Sequence, residues 1–295
     1  MSRIFDALRR AGAEQTGIEY SDTMSVATKV FEARPVEAEV PAEGLTPPAF
    51  DPGPVQNAEE IRTLFPAVEV VIPPTSRLVF AAQPNSLAVE KFRFLAVRLR
   101  EMRQNRPLQK VLITSSIPEE GKSLVSANLA GVIARKRQKV LLIEGDLRRP
   151  VLAEQFGIPK LPGLAEWLKG TTEQASNIYR LEGPGLWFMP AGEPPERTIE
   201  LMQSGRLANL MQQLTALFDW IIIDSPPLLP LADTTLWSRL TDGTLLVSRE
   251  GKTEKAHLER GLDTLKKSDL LGVVLNSCTH TDQKSYYQRY SPHSK

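Results

Sequence analysis

The stretch Lys110–Ala130, KVLITSSIPEEGKSLVSANLA, decides the fold. It opens with a short β-branched apolar run, Val111-Leu112-Ile113-Thr114. A polar loop leads to Gly121-Lys122-Ser123, and a helical pattern follows with Leu124, Ala127 and Leu129. Strand, loop, GKS and helix in that order make a phosphate-binding loop. Loop N–H groups and the positive end of the helix dipole attract anions. In such a loop the lysine, Lys122, reaches the outer phosphates and the Ser123 hydroxyl binds Mg²⁺. Gly121 lets the backbone approach the phosphates with no Cβ in the way. The candidate nucleotide contacts are therefore Ser116, Pro118, Glu119, Glu120, Gly121, Lys122, Ser123 and Leu124. The usual pattern places a glycine ahead of the Gly-Lys pair with four residues between; Ser116 stands there.

Downstream, two further strand patterns end in acids. Lys139–Ile143 runs into Glu144-Gly145-Asp146, and Trp220-Ile221-Ile222-Ile223 runs into Asp224-Ser225-Pro226-Pro227. A continuous isoleucine run fits a strand buried on both faces. In a parallel sheet, carboxylates at strand ends sit at the ligand crevice beside the phosphate loop. Glu144 and Asp146, one residue apart, point to the same side of the chain. One can serve Mg²⁺ and the other can act as a base, and Asp224 is a second candidate Mg²⁺ ligand. Taken alone, each acid also reads as a turn or cap.

Two more strand patterns, Gly243–Ser248 and Leu271–Asn276, flank a helical stretch, Lys255–Lys267. Residues 151–217 read as small helices with one strand, Leu186–Met189. Upstream, Asn85–Arg103 is a helix that Ser86 can cap, with Ala88, Phe92, Leu95, Leu99 and Met102 at helical spacing. Alternating strands and helices call for an α/β fold, a parallel sheet with helices on both faces. Asn276, at the end of the last strand, either meets the nucleotide base or caps a turn.

Composition bounds the rest. The net charge of +1 offers no broad basic field, so no nucleic-acid partner is expected. Cys278 is the only cysteine, which excludes an internal disulfide framework and fits a reducing cytoplasm. No apolar run approaches the ~20 residues that span a bilayer, so no transmembrane segment is expected. Residues 2–12 read as a short amphipathic helix, either a docking segment or a helix packed on its own domain. From about Arg34 to Pro74 the chain is dense in proline and acid. Such a segment buries too little apolar area to offset its ordering entropy and reads as a disordered linker. The tail from Thr279 to Lys295 is polar but holds Tyr286, Tyr287 and Tyr290, three of the five tyrosines. They either dock on the domain or serve as phosphate acceptors on a flexible arm.

Taken together, SSIPEEGKS, LLIEGDLRRP, WIIIDSPP with Ala232-Asp233 after it, VSREGKT, GVVLN and the terminal tyrosines resemble the bacterial tyrosine kinases (BY-kinases). These are autokinases of capsule and exopolysaccharide export. The resemblance spans about residues 77–290 and rests on the order and spacing of the motifs. It implies a P-loop NTPase-like fold using ATP and Mg²⁺, with Lys122 and the loop holding phosphates. Ser123, Asp146 and Asp224 would organise Mg²⁺, and Asn276 would lie near adenine. Lys122, Glu144, Asp146 and Asp224 would form the catalytic set, with Glu144 where the family's proton acceptor stands. Tyr286, Tyr287 and Tyr290 would be phosphorylated in trans, one subunit's tail entering a neighbour's site. The implied partners are a second copy and a separate membrane chain-length regulator that recruits a cytoplasmic kinase to the inner face of the membrane.

The implied organisation is a helix and linker over residues 1–76, a kinase domain over 77–278 and a tyrosine tail over 279–295. Three positions depart from the family pattern. Glu144 stands where aspartate is usual, Glu119 where glycine is common, and Ala96 replaces the second arginine of E-x-x-R-x-x-R after Glu90 and Arg93. Two rivals remain: an ATP-responsive assembly protein impaired in transfer, and an ATPase of the partitioning type. The latter carry a signature lysine where this chain has Ile117, and they lack the tyrosine cluster.

Overall fold

The structure, a computed structural model, describes residues 61–278 apart from 62, 74, 137, 172–176, 230–231 and 266–269. All of these belong to one compact unit, Pro48–Lys295. The expected amino-terminal helix, most of the proline-rich stretch and the three tail tyrosines lie outside the described residues.

Eight strands form one sheet: β1 (Ala67–Val68), β2 (Lys110–Ser115), β3 (Val140–Glu144), β4 (Tyr179–Leu181), β5 (Leu186–Met189), β6 (Trp220–Asp224), β7 (Gly243–Arg249) and β8 (Leu270–Asn276). Their order is β1-β4-β5-β3-β6-β2-β7-β8. Every pairing is parallel except β4 with β5. The central strands are buried on both faces, so their side chains alternate between two cores. Val111, Ile113, Val140, Leu142, Trp220 and Ile222 point into one core. Leu112, Leu141, Ile143, Ile221 and Ile223 point into the other.

Helices α1 (Val79–Ala82), α2 (Leu87–Asn105), α3 (Lys122–Ala134) and α4 (Leu152–Gln155) contribute to the first core. Helices α5 (Leu164–Lys169), α6 (Thr198–Gln203), α7 (Arg206–Leu217) and α8 (Asp233–Ser238) close the second. A smaller cluster of Leu228, Leu246 and Leu265 packs with α9 (Lys255–Thr264). Helix α3 is apolar nearly all round, as a helix buried between sheet and neighbours must be. On α2 the Ser86 side chain accepts the Val89 N–H at 3.4 Å, as a cap should. The buried stripe is Val89, Ala96 and Leu99, with Phe92, Leu95 and Met102 partly packed; Ala88 faces solvent.

Two expectations need correction. Residues 151–217 hold two strands rather than one, and β4 and β5 form an antiparallel hairpin in an otherwise parallel sheet. Gly183 and Gly185, at φ +92° and +72°, let its turn close. The packed region also starts earlier than Arg77. Ile61 and Phe65 are buried, Phe65 stacks on Phe218, and β1 pairs with β4. A two-residue strand among prolines is too short to leave a period-2 signal.

Candidate active site

The site lies where β2, β3 and β6 end side by side. Register pairs Ile113 and Glu144 with Asp224, so the strand tips converge. Gly121 precedes α3 with φ +93°, and a Cβ there would lie 2.1 Å from Asn276 Nδ2. Glycine is required at this point for both conformation and space.

Lys122 Nζ donates to Asp146 Oδ2 at 3.0 Å and to Ser123 Oγ at 3.4 Å. Asp146 is in turn fixed by the N–H groups of Arg148 and Arg149, which its Oδ1 accepts at 3.3 and 3.1 Å. Burial works against the charge on Lys122, but Asp224 and Asp146 outweigh it and hold the ammonium above its ordinary range. Asp224 is buried, and that burial pushes its carboxyl up against the pull of Lys122 and of the neighbouring serine hydroxyls. Its Oδ1 accepts from Ser126 Oγ at 3.2 Å. Its Oδ2 is buried with no hydrogen-bond partner among the described residues. An orphaned carboxylate oxygen beside the Ser123 hydroxyl fits a hard, oxygen-seeking cation such as Mg²⁺. Among the described residues no three His, Cys, Asp or Glu side chains cluster as a metal cage.

The other predicted residues separate into those that line the cleft and those that build it. Glu119, Gly121, Lys122, Ser123, Leu124 and Asn276 line a cleft of about 370 Å³. Ser116 does not: it is fully buried, with Gly261 of α9 packed against its hydroxyl. Pro118 is exposed on the loop. Glu120 is fully buried and braces the loop from within. Its Oε2 accepts the Ile117 N–H at 2.8 Å and its Oε1 accepts the Thr253 hydroxyl. Asn276 Nδ2 donates to Glu120 O at 2.9 Å, which ties β8 to the loop. Glu119 adopts φ +64° and pairs with Lys252, while Arg249 donates to its carbonyl at 3.3 Å.

Glu144 is held away from the cleft. Its Oε1 accepts the N–H groups of Val151 and Leu152 at 2.6 and 2.5 Å, and its Oε2 accepts that of Ala191 at 3.2 Å. Burial raises its pKa to about 7 against the pull of those bonds. Beside it, Arg148 makes a two-pronged bond to buried Asp233 at 2.7 and 3.2 Å. Sequence reasoning gave no role to Thr253, Ser126 or Arg148. Thr253 lies in the quoted VSREGKT stretch, but only the folded sheet brings it to Glu120.

A parallel sheet whose β2 enters a glycine-hinged loop at the head of α3, with acids on the tips of β3 and β6, defines a P-loop NTPase-like protein. No protein-family model matches the chain. It is 35% identical over 203 residues to the tyrosine-protein kinase YwqD of Bacillus subtilis, a match covering 68% of this chain and 85% of that one. It is 31% identical over 217 residues to the succinoglycan biosynthesis transport protein ExoP of Rhizobium meliloti, covering 72% of this chain but 27% of ExoP. Among solved structures, the kinase domain of the Escherichia coli tyrosine kinase ETK aligns with a TM-score of 0.65 and 28% identity, over 69% of this chain and 82% of that domain. The chain belongs to the bacterial tyrosine kinases. Among the described residues no helix is long and apolar enough to cross a membrane.

Proposed function

We propose that this chain is an ATP- and Mg²⁺-dependent protein-tyrosine kinase acting on its own carboxy-terminal tyrosines, Tyr286, Tyr287 and Tyr290, in trans. The observation that carries this reading is Lys122 at the head of α3, 3.0 Å from Asp146 and beside the orphaned Asp224 oxygen. In the reaction, a tyrosine hydroxyl oxygen bonds to the γ-phosphorus of ATP. The bond from that phosphorus to the β,γ-bridging oxygen breaks, its electron pair leaves on ADP, and the hydroxyl proton passes to a carboxylate. Lys122 and the loop N–H groups offset charge growing on the transferred group, and positioning supplies most of the rest. Ser123, Asp146 and Asp224 would hold Mg²⁺, which supplies further charge neutralisation when bound. Asn276, on the rim by Gly121, is the candidate neighbour of the base.

Glu144 was the expected proton acceptor, yet both its oxygens are engaged by backbone N–H groups. In this reading it positions the loop that carries Asp146, and Asp146 is the acid nearer Lys122. The same observation favours a second reading, an ATP-binding assembly protein with weak transfer. The printed name of ExoP supports a place in exopolysaccharide production; a membrane chain-length regulator as activating partner and recruitment from the cytoplasm to the membrane face belong to the same proposal. Incubation with ATP and Mg²⁺ followed by mass-spectrometric mapping tests the choice. Phosphate on Tyr286, Tyr287 or Tyr290 that vanishes in Lys122→Met supports the kinase. ATP binding without label, with the activator's cytoplasmic segment added, supports the assembly protein.

A further inference from the structure

The turn that follows β7 grips the phosphate loop. Arg249–Thr253 is closed on itself: the Lys252 and Thr253 N–H groups donate to Arg249 O at 3.2 and 3.0 Å, and Thr253 Oγ1 accepts the Arg249 N–H at 2.9 Å. Three side chains of this turn reach the loop. Arg249 donates to Glu119 O at 3.3 Å, Thr253 bonds to the Glu120 carboxylate, and Lys252 forms an ion pair with the Glu119 carboxylate. The first two steady the loop. The third restrains a charge of the wrong sign for a phosphate site.

Glu119 holds φ +64°, a conformation that suits glycine and is uncommon for a residue with a side chain. It lines the cleft together with Arg249 and Lys122, whereas Lys252 stands outside that lining. Its carboxylate therefore sits three residues before the lysine that reaches the outer phosphates. Lys252 is what holds it. A hydrogen bond from Lys252, and then the Lys252 charge, draw the carboxyl below its ordinary pKa against the opposing pull of burial, with weaker help from Arg249 and Arg149. Arg249 already touches the Glu119 carbonyl and is the nearest cation within the cleft lining after Lys252 lets go. Without Lys252 the carboxylate has a partner waiting where phosphate oxygens belong.

We propose that Glu119 and Lys252 form a charge clasp that sets the nucleotide preference of the cleft. Lys252 positions the Glu119 carboxylate outside the phosphate site, and loss of the lysine turns Glu119 into an internal competitor of the outermost phosphate. Lys252 is thus a positioning residue that acts through Glu119, and Glu119 is the residue that discriminates between nucleotides of different charge. The assignment rests on the nucleotide-binding part of the proposed function. The pair is open to water, with 78% of the Glu119 side chain and 35% of the Lys252 side chain exposed, so salt screens it.

The test titrates the full chain with fluorescent analogues of ATP and ADP in the presence of Mg²⁺, at low and at high KCl. Lys252→Ala is expected to weaken the ATP analogue about fivefold, the upper end for an exposed ion pair, and the ADP analogue about twofold. The difference should shrink at high salt. In a Glu119→Gln background there is no carboxylate to release, and Lys252→Ala should then cost about twofold at most, the effect of its bare charge. Lys252→Arg, which keeps the pair, should bind both analogues as the parent does, and thermal melts report folding of every variant. Three results overturn the clasp: an ATP affinity that Lys252→Ala does not move, the same loss in the Glu119→Gln background, or equal losses for both analogues that persist in salt. A parent chain that binds neither analogue overturns the clasp and the proposed function together. Because the readout needs no phosphoryl transfer, the expected pattern without any tyrosine labelling condemns the kinase reading alone. Labelling with an unmoved ATP affinity condemns the clasp alone.

Discussion

The Glu144 carboxylate accepts the Leu152 backbone N–H at 2.5 Å, across the loop that carries the site's other acid, Asp146. With Val151 and Ala191 also bonded, one side chain ties β3 to α4 and to the end of β5. Removing it strands three N–H groups in a low-dielectric interior. At roughly 1–3 kcal/mol per buried unpaired group, partly relieved by water, Glu144→Ala should cost about 3 kcal/mol. That corresponds to a fall in Tm of roughly 6–12 °C for a domain of this size. Thermal melts monitored by circular dichroism check it. Melting at the parent temperature would mean the three bonds contribute nothing to the fold.

Gly121 and Asn276 should be coupled. Alanine at Gly121 must hold a positive φ, a strain on the order of 1 kcal/mol, and its Cβ meets Asn276 Nδ2. The amide must then swing away and give up its bond to Glu120 O. Gly121→Ala is expected to lower nucleotide affinity at least tenfold. In the Asn276→Ala background its added effect should shrink, because the clash is gone. A double-mutant cycle on nucleotide affinity measures this coupling, and strict additivity would rule it out.

The brace inside the loop predicts a milder phenotype. Glu120 holds the Ile117 N–H and the Thr253 hydroxyl without lining the cleft. Glu120→Ala should therefore loosen the loop and weaken nucleotide binding about tenfold, while global stability falls by only about 1–2 kcal/mol. Thr253→Val removes one of the two contacts and should give a smaller loss in the same direction. Isothermal titration with ATP and Mg²⁺ reads both. A Thr253→Val loss exceeding that of Glu120→Ala would point to a separate role for the hydroxyl.

The central sheet was legible because its strands are buried on both faces and read as unbroken apolar runs, such as Trp220–Ile223. The loop was legible because glycine, lysine and a hydroxyl must follow one another there. The β4–β5 hairpin was not. Its first strand, Tyr179–Leu181, is three residues long and carries Arg180 at its centre. The roles of the acids were only half legible. Spacing puts Glu144 and Asp146 on the same side of a strand end, but cannot reveal that Val151, Leu152 and Ala191 capture Glu144 first. Ser116 failed for a similar reason, since its cover, Gly261, lies far away in the chain.

Arg148 and Asp233 offer a test of asymmetry. Asp233 is 1% exposed, whereas the Arg148 side chain keeps 39% of its area in water. Hydrogen bonding to Asp233, and then its charge, hold the guanidinium above its ordinary pKa against the opposing pull of burial. Deleting the arginine leaves a buried carboxylate without its two-pronged partner; deleting the aspartate leaves an arginine that can turn outward. Arg148→Ala should therefore cost more, about 2–3 kcal/mol, the solvent-facing side of the pair reducing the roughly 3–5 kcal/mol of a fully buried one. Asp233→Asn, which keeps shape and one acceptor oxygen, should cost less, about 1 kcal/mol. Lysine at position 148 restores charge but not the fork, so Arg148→Lys should fall between them. Urea unfolding of the three variants ranks them. Asp233→Asn proving the most damaging would mean that the acid, through its place at the start of α8, matters for something other than its partner.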